Sequence, residues 1–139
     1  MITRIFFDAN IILEWLNKDA SGNEECLKCI EKSIETSCTL MVSPTTLAIL
    51  YYFVSKKIKN KPMVKQKLQE RMKLFEFTTE DAWTVTESFS SRFLDLEDAL
   101  QYFSAASSSA DAIVTYNEHH YINTRIPVYH PLTFLSLFE

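Results

Sequence analysis

Three side chains in this sequence can supply hard oxygen donors to one centre: Asp8, Asp98 and Asn117. A divalent cation such as Mg²⁺ takes oxygen ligands, often only one or two carboxylates, with water and substrate phosphate completing its shell. Asp8 and Asp98 meet that minimum, and Asn117 adds a carbonyl oxygen or holds a bound water. Each acid also has a purely architectural reading. Asp8 can cap a helix, and Asp95-x-x-Asp98 resembles a capping box with Asp98 three residues into a helix, where its charge suits the helix dipole.

Strand polarity decides whether these groups can meet. Ile5-Phe6-Phe7 is a short β-branched and aromatic run that Asp8 and Asn10 break, and Ile11, Ile12, Trp15 and Leu16 follow at helical spacing. Asp8 therefore stands where a first strand ends, Asp98 in the first turn of a helix opened by Asp95, and Asn117 just beyond a strand over Ile113 to Thr115. All three belong at the carboxyl edge of a parallel sheet, where ligands bind. Asp111 precedes its strand and belongs at the opposite edge.

The remaining elements alternate. The spacing predicts a helix over Glu24 to Thr36, a strand over Thr39 to Val42, and a helix begun by Ser43 as N-cap and Pro44 at its first position. A helix over Met63 to Lys73 and a strand at Leu74 to Phe77 follow. The next helix is capped by Thr78 or Thr79 and turns Ala82, Val85, Thr86 and Phe89 inward. Another has Ala99, Leu100, Phe103 and Ala106 as its apolar side. A last strand at Ile126 to Val128 leads to a helix from Pro131 through Phe138. Strands alternating with helices imply a short, mostly parallel sheet covered on both faces, a three-layer α/β/α sandwich formed by one domain over residues 1–139.

Composition narrows the function. The chain of 139 residues has one glycine, which excludes glycine-rich phosphate cradles and argues against a turn-rich β barrel. Net charge is −4, yet eight of the 14 Lys and Arg fall between Lys56 and Lys73, with Glu70 the one acid among them. Lys56, Lys57, Lys61, Lys65 and Lys67 are candidate contacts to a phosphate backbone, or else a solvated helix face. Cys26, Cys29 and Cys38 lack a second pair or a histidine cluster and read as thiols in a reducing cytoplasm. No apolar run reaches membrane-spanning length.

Four stretches, in order, resemble the motifs of the PIN domain, the metal-dependent nuclease fold of VapC-type toxins. They are Ile5-Phe6-Phe7-Asp8-Ala9-Asn10, Ser43 through Tyr52, Asp95-Leu96-Glu97-Asp98-Ala99-Leu100, and Ala110-Asp111-Ala112-Ile113-Val114-Thr115-Tyr116-Asn117. The resemblance implies that Asp8 and Asp98 are metal carboxylates, with Asn10, Thr115 and Asn117 orienting bound water or substrate. Two acids of the family pattern are absent: Ile49 stands for a glutamate, and Asn117 for an aspartate that some members carry three residues later, at His120 here. A site of four carboxylates keeps two.

These features lead to an expected metal-dependent endoribonuclease, the toxin half of a toxin–antitoxin pair, with one weakly held Mg²⁺ or Mn²⁺. The alternative is a PIN-fold RNA-binding or partner-binding module whose site has decayed. A haloacid-dehalogenase-type phosphatase would need a second aspartate where Asn10 stands. Expected partners are RNA, an antitoxin protein and a second copy of the chain, for which Tyr51, Tyr52, Phe53 and Trp83 are surplus apolar residues. No membrane is expected.

Overall fold

The structure is a computed structural model that describes residues 1–139. Five strands form one sheet in the order β3-β2-β1-β4-β5: β1 (Arg4–Phe7), β2 (Thr39–Val42), β3 (Glu76–Phe77), β4 (Ala112–Val114) and β5 (Val128–Tyr129). Every pairing is parallel, so the sheet is wholly rather than mostly parallel. β1 is central, with Ile5 opposite both Leu40 and Ala112. Such a strand is buried on both faces, which is why Ile5, Phe6 and Phe7 read as an unbroken apolar run.

The alternation of strand side chains divides the core in two. Ile5, Phe7, Leu40, Val42 and Val114 point to one face. There they meet Ile11, Ile12 and Trp15 of α1 (Ala9–Leu16), and Cys26, Cys29 and Ile30 of α2 (Asn23–Glu35). Leu50 of α3 (Pro44–Lys57), Val64 and Leu68 of α4 (Lys61–Met72) and Phe134 of α7 (Pro131–Ser136) complete that side. Phe6, Met41 and Ile113 point to the other face and meet Tyr102 and Ala105 of α6 (Leu96–Ser107), with Tyr121 and Ile126. α5 (Ala82–Ser90) lies outside this second core, against α6. The result is the expected three-layer sandwich.

Local chemistry sets the helix starts. Ser43 and Thr46 form a reciprocal capping box with Pro44 at the first helical position. Asp95 accepts the Asp98 backbone N–H at 3.1 Å, as its spacing implied. Asn60 caps α4, so that helix begins at Lys61 instead of Met63. Asp81, not Thr78 or Thr79, caps α5.

That cap turns α5 differently from expectation. Thr84 and Ser88 face inward, whereas Val85 and Phe89 are exposed, Phe89 at 73%. Ser88 satisfies its hydroxyl on the Thr84 carbonyl at 2.7 Å, which lets a polar stripe be buried. On α6 the inward residues are Ala99, Gln101, Tyr102, Ser104 and Ala105, while Leu100, Phe103 and Ala106 are half-buried. The last two strands are also shifted or shorter: β3 is only Glu76–Phe77, and β5 begins at Val128 after Ile126 has entered the core. No helix is long and apolar enough to cross a membrane.

Candidate functional site

Asp8 is buried at the carboxyl end of β1 and caps α1. Its Oδ1 accepts the Asn10 backbone N–H at 3.2 Å and Gln101 Nε2 at 3.3 Å. Its Oδ2 accepts the Thr115 hydroxyl at 2.9 Å and the Tyr121 phenol at 2.8 Å. Burial, with the charges of Asp8 and Asp98, raises Tyr121 well above the ordinary tyrosine range and keeps it a proton donor.

The donors around Asp8 are themselves held. Gln101 reaches it from α6 because its Oε1 accepts the Thr46 hydroxyl at 3.0 Å and the Ala9 N–H at 3.1 Å. Thr115 accepts Asn10 Nδ2 at 3.2 Å and the Asn117 backbone N–H at 3.0 Å. Asn10 Oδ1 accepts the Tyr116 N–H at 3.3 Å, which ties the start of α1 to the end of β4. Asn10 and Thr115 thus orient the acid and the turn around it.

Asp98 faces the same cleft. Burial above all, then the negative charges of Asp8 and Asp95, push its carboxyl up to about 6, against the pull of His120. His120 Nδ1 lies 3.1 Å from Asp98 Oδ2, on a histidine side chain 44% exposed. The structure therefore brings Asp8, Asp98 and the Asn117 backbone together at the carboxyl edge of the sheet. Asp111 lies at the opposite edge, where its Oδ2 accepts the N–H groups of Thr3 and Arg4 at 3.0 and 2.9 Å.

The donor set can be tested against a divalent cation. A carboxylate offers about four lone-pair directions, and Asp8 has four donors on them. A cation there would have to displace Tyr121, Thr115, Gln101 or the α1 cap. Asp98 has one oxygen on His120. Ile49 is half-buried on α3 without a ligand atom, and no group of three His, Cys, Asp or Glu side chains gathers anywhere. The residues present do not fit a held metal ion.

Four participants were not legible as such: Thr46, Gln101, His120 and Tyr121. Thr46 was hidden in a capping box and Gln101 in a helix pattern. His120 was marked only by its offset from Asn117. Tyr121 had no signal at all beyond being an aromatic after a turn.

The basic stretch lies elsewhere. Lys56, Lys57 and Lys67, with Arg71, border a groove of about 860 Å³ between α1, α3 and α4 whose apolar lining includes Leu13, Leu16, Phe53, Ile58 and Met63. Lys56 Nζ sits 4.3 Å over the Tyr52 ring. Lys61 and Lys65 are exposed on α4 outside that lining. At about 1.5 Å per helical residue, Lys57 is about 16 Å along α3 from Thr46. The thiols of Cys26 and Cys29 are buried and unbridged, and burial raises them to about 11 and about 12.

Comparison with known proteins agrees with this architecture. The structure is similar to VapBC2 from Rickettsia felis bound to a promoter DNA fragment, at TM-score 0.67 and 21% identity over 92% of this chain and 98% of that one. It is also similar to VapBC-1 from nontypeable Haemophilus influenzae, at 0.68 and 15% over 94% and 99%. For VapC20 of Mycobacterium tuberculosis, a sarcin-ricin loop cleaving toxin, the values are 0.59 and 12% over 78% and 86%. No curated protein matches the sequence. A PIN domain family profile matches residues 4–119, most of the chain and every strand but β5. This chain belongs to the PIN domain family.

Proposed function

We propose that the chain is the toxin-side PIN domain of a toxin–antitoxin pair, directed at RNA, with a cleavage centre that has lost its metal-dependent activity. The PIN family generally uses divalent metal ions. The observation that carries the reading is the Asp8 carboxylate with donors on all four of its acceptor directions, beside an Asp98 already engaged by His120. RNA as the target rests on the cleft at the carboxyl edge and on the lysines of α3 and α4. An antitoxin partner is supported by the VapBC complexes among the similar structures. The apolar groove rimmed by Lys56, Lys57 and Lys67 has room for a partner segment carrying apolar and acidic side chains. A second copy of the chain is proposed to cover exposed Tyr51 and Tyr52, and the cytoplasm is the proposed compartment.

One observation favours the metal-dependent endoribonuclease instead. Asp8 and Asp98 are buried close enough for the charge of one to raise the other. A single divalent cation, Mg²⁺ or Mn²⁺, would relieve that repulsion. In that reading Asp8, Asp98 and Asn117 would hold it and it would supply an activated water. Incubating end-labelled RNA with the wild type and Asp8→Asn, with and without Mn²⁺, separates the two. The proposal expects RNA binding with no metal-stimulated cleavage. Cleavage that requires Mn²⁺ and vanishes in Asp8→Asn overturns it in favour of the endoribonuclease.

A further inference from the structure

A second cavity, of about 480 Å³, opens between α5, α6 and the segments 91–93 and 122–125. Its walls include Trp83, Phe93, Phe103 and Ile122, with Arg92 and Arg125 beside them. Trp83 is 48% exposed and stands edge-on to Phe103 at 6.0 Å. Both arginines are exposed, and neither belongs to any of the ion pairs in the molecule. Glu87 is the one carboxylate in the lining.

Packed rings link this cavity to the acid centre. Phe93 lies edge-on to Tyr121 at 5.6 Å, and Tyr121 is the phenol that donates to Asp8. Phe93 also stacks on Tyr102 at 5.5 Å and meets Phe103 at 6.1 Å. A chain of rings thus runs from Asp8 to Trp83. The cavity is also distinct from the other apolar surface of α5. At about 100° per residue, Trp83 and Glu87 share one stripe while Val85 and Phe89 lie about 120° or more around the helix.

We propose that this cavity takes one unstacked base of single-stranded RNA, with the adjoining phosphates on Arg92 and Arg125. The inference rests on the RNA reading above and names a subsite for it. Exposed ring faces bind bases of any identity by stacking, and a guanidinium both stacks and binds phosphate. Two unpaired arginines beside one acid favour a polyanion over a neutral apolar segment. Placed one ring beyond Tyr121, a base held here sets the strand across the acidic cleft.

The test is fluorescence anisotropy with a short fluorescein-labelled single-stranded oligoribonucleotide, in EDTA, over a salt series. Trp83→Ala should weaken binding about 5- to 100-fold with its salt slope unchanged. Trp83→Phe, which keeps a ring, should bind like the wild type. Arg92→Ala with Arg125→Ala should flatten the slope by about 1.4, at 0.7 per single-strand phosphate contact. If the wild type binds and Trp83→Ala binds equally well, the subsite is wrong and the RNA reading stands. If the wild type binds no RNA, the RNA reading falls and the subsite with it. If light scattering shows Trp83→Ala alone to have lost a dimer, the cavity is an interface between copies and the proposal is overturned.

Discussion

Replacing Asp98 by Asn should stabilise the protein at neutral pH. Its carboxyl is raised from the ordinary 3.8 to about 6, by burial first and by Asp8 and Asp95 after that. At 1.36 kcal/mol per pH unit this corresponds to about 3 kcal/mol, the cost of holding the charged form in the folded state above pH 6. The sign follows from the direction. The folded state binds the proton more tightly than the unfolded chain, so this group's contribution becomes more favourable as pH falls from about 6 towards 3.8. Asn is isosteric, cannot ionise and still offers His120 an acceptor. Urea unfolding of both proteins from pH 4 to 8 should therefore give Asp98→Asn an advantage of up to about 3 kcal/mol above pH 7 that disappears towards pH 4. Taking the difference between the curves cancels the titrating groups remote from Asp98. A variant equally or less stable at pH 7, or a difference that does not move with pH, would refute the electrostatic account of the cleft.

Tyr121→Phe removes one donor from the buried Asp8 carboxylate and should cost about 1.5–3 kcal/mol in the same unfolding assay. It also frees an acceptor direction, so titration calorimetry should detect tighter Mn²⁺ binding than in the wild type. Ile49→Glu with Asn117→Asp restores two carboxylates and should likewise raise Mn²⁺ affinity; an unchanged isotherm would mean that the cleft cannot gather ligands at all. Lys61→Ala, Lys65→Ala and Lys67→Ala together should weaken RNA binding similarly for all sequences, lowering the salt slope by about 0.7 for each phosphate no longer neutralised. Gly22→Ala would drive a Cβ into the Tyr116 hydroxyl and Glu14, and that phenol is fixed by Glu25 at 2.7 Å, so a thermal melt should show a loss of about 1–3 kcal/mol.

What could be read from the sequence was whatever depends on neighbours in the chain. β1, β2 and the starts of α3, α6 and α7 follow from local runs and caps such as Ser43-Pro44 and Asp95. The placement of Asp8, Asp98 and Asn117 at one edge, and of Asp111 at the other, follows from strand polarity alone. The inward face of α5 was misassigned because periodicity weighs Val85 and Phe89 above Thr84 and Ser88, whereas Ser88 bonds back to the helix and can be buried. Gln101 and Tyr121 were out of reach for a different reason. Each earns its place through one contact to Asp8 made across 93 and 113 residues, and no spacing rule spans that interval.

Those same separations set the order in which the molecule can be completed. Asp8 leaves the ribosome long before its donors Gln101, Thr115 and Tyr121, which lie about a hundred residues further on. β4, which lies directly beside β1, is equally late. Until it arrives the central strand has only one neighbour, β2, and the aspartate has no reason to leave water. Contacts of such long range close slowly and late in folding. The cleft therefore cannot exist before Tyr121 is made, and a nascent chain that ends short of Thr115 carries the acids without the site.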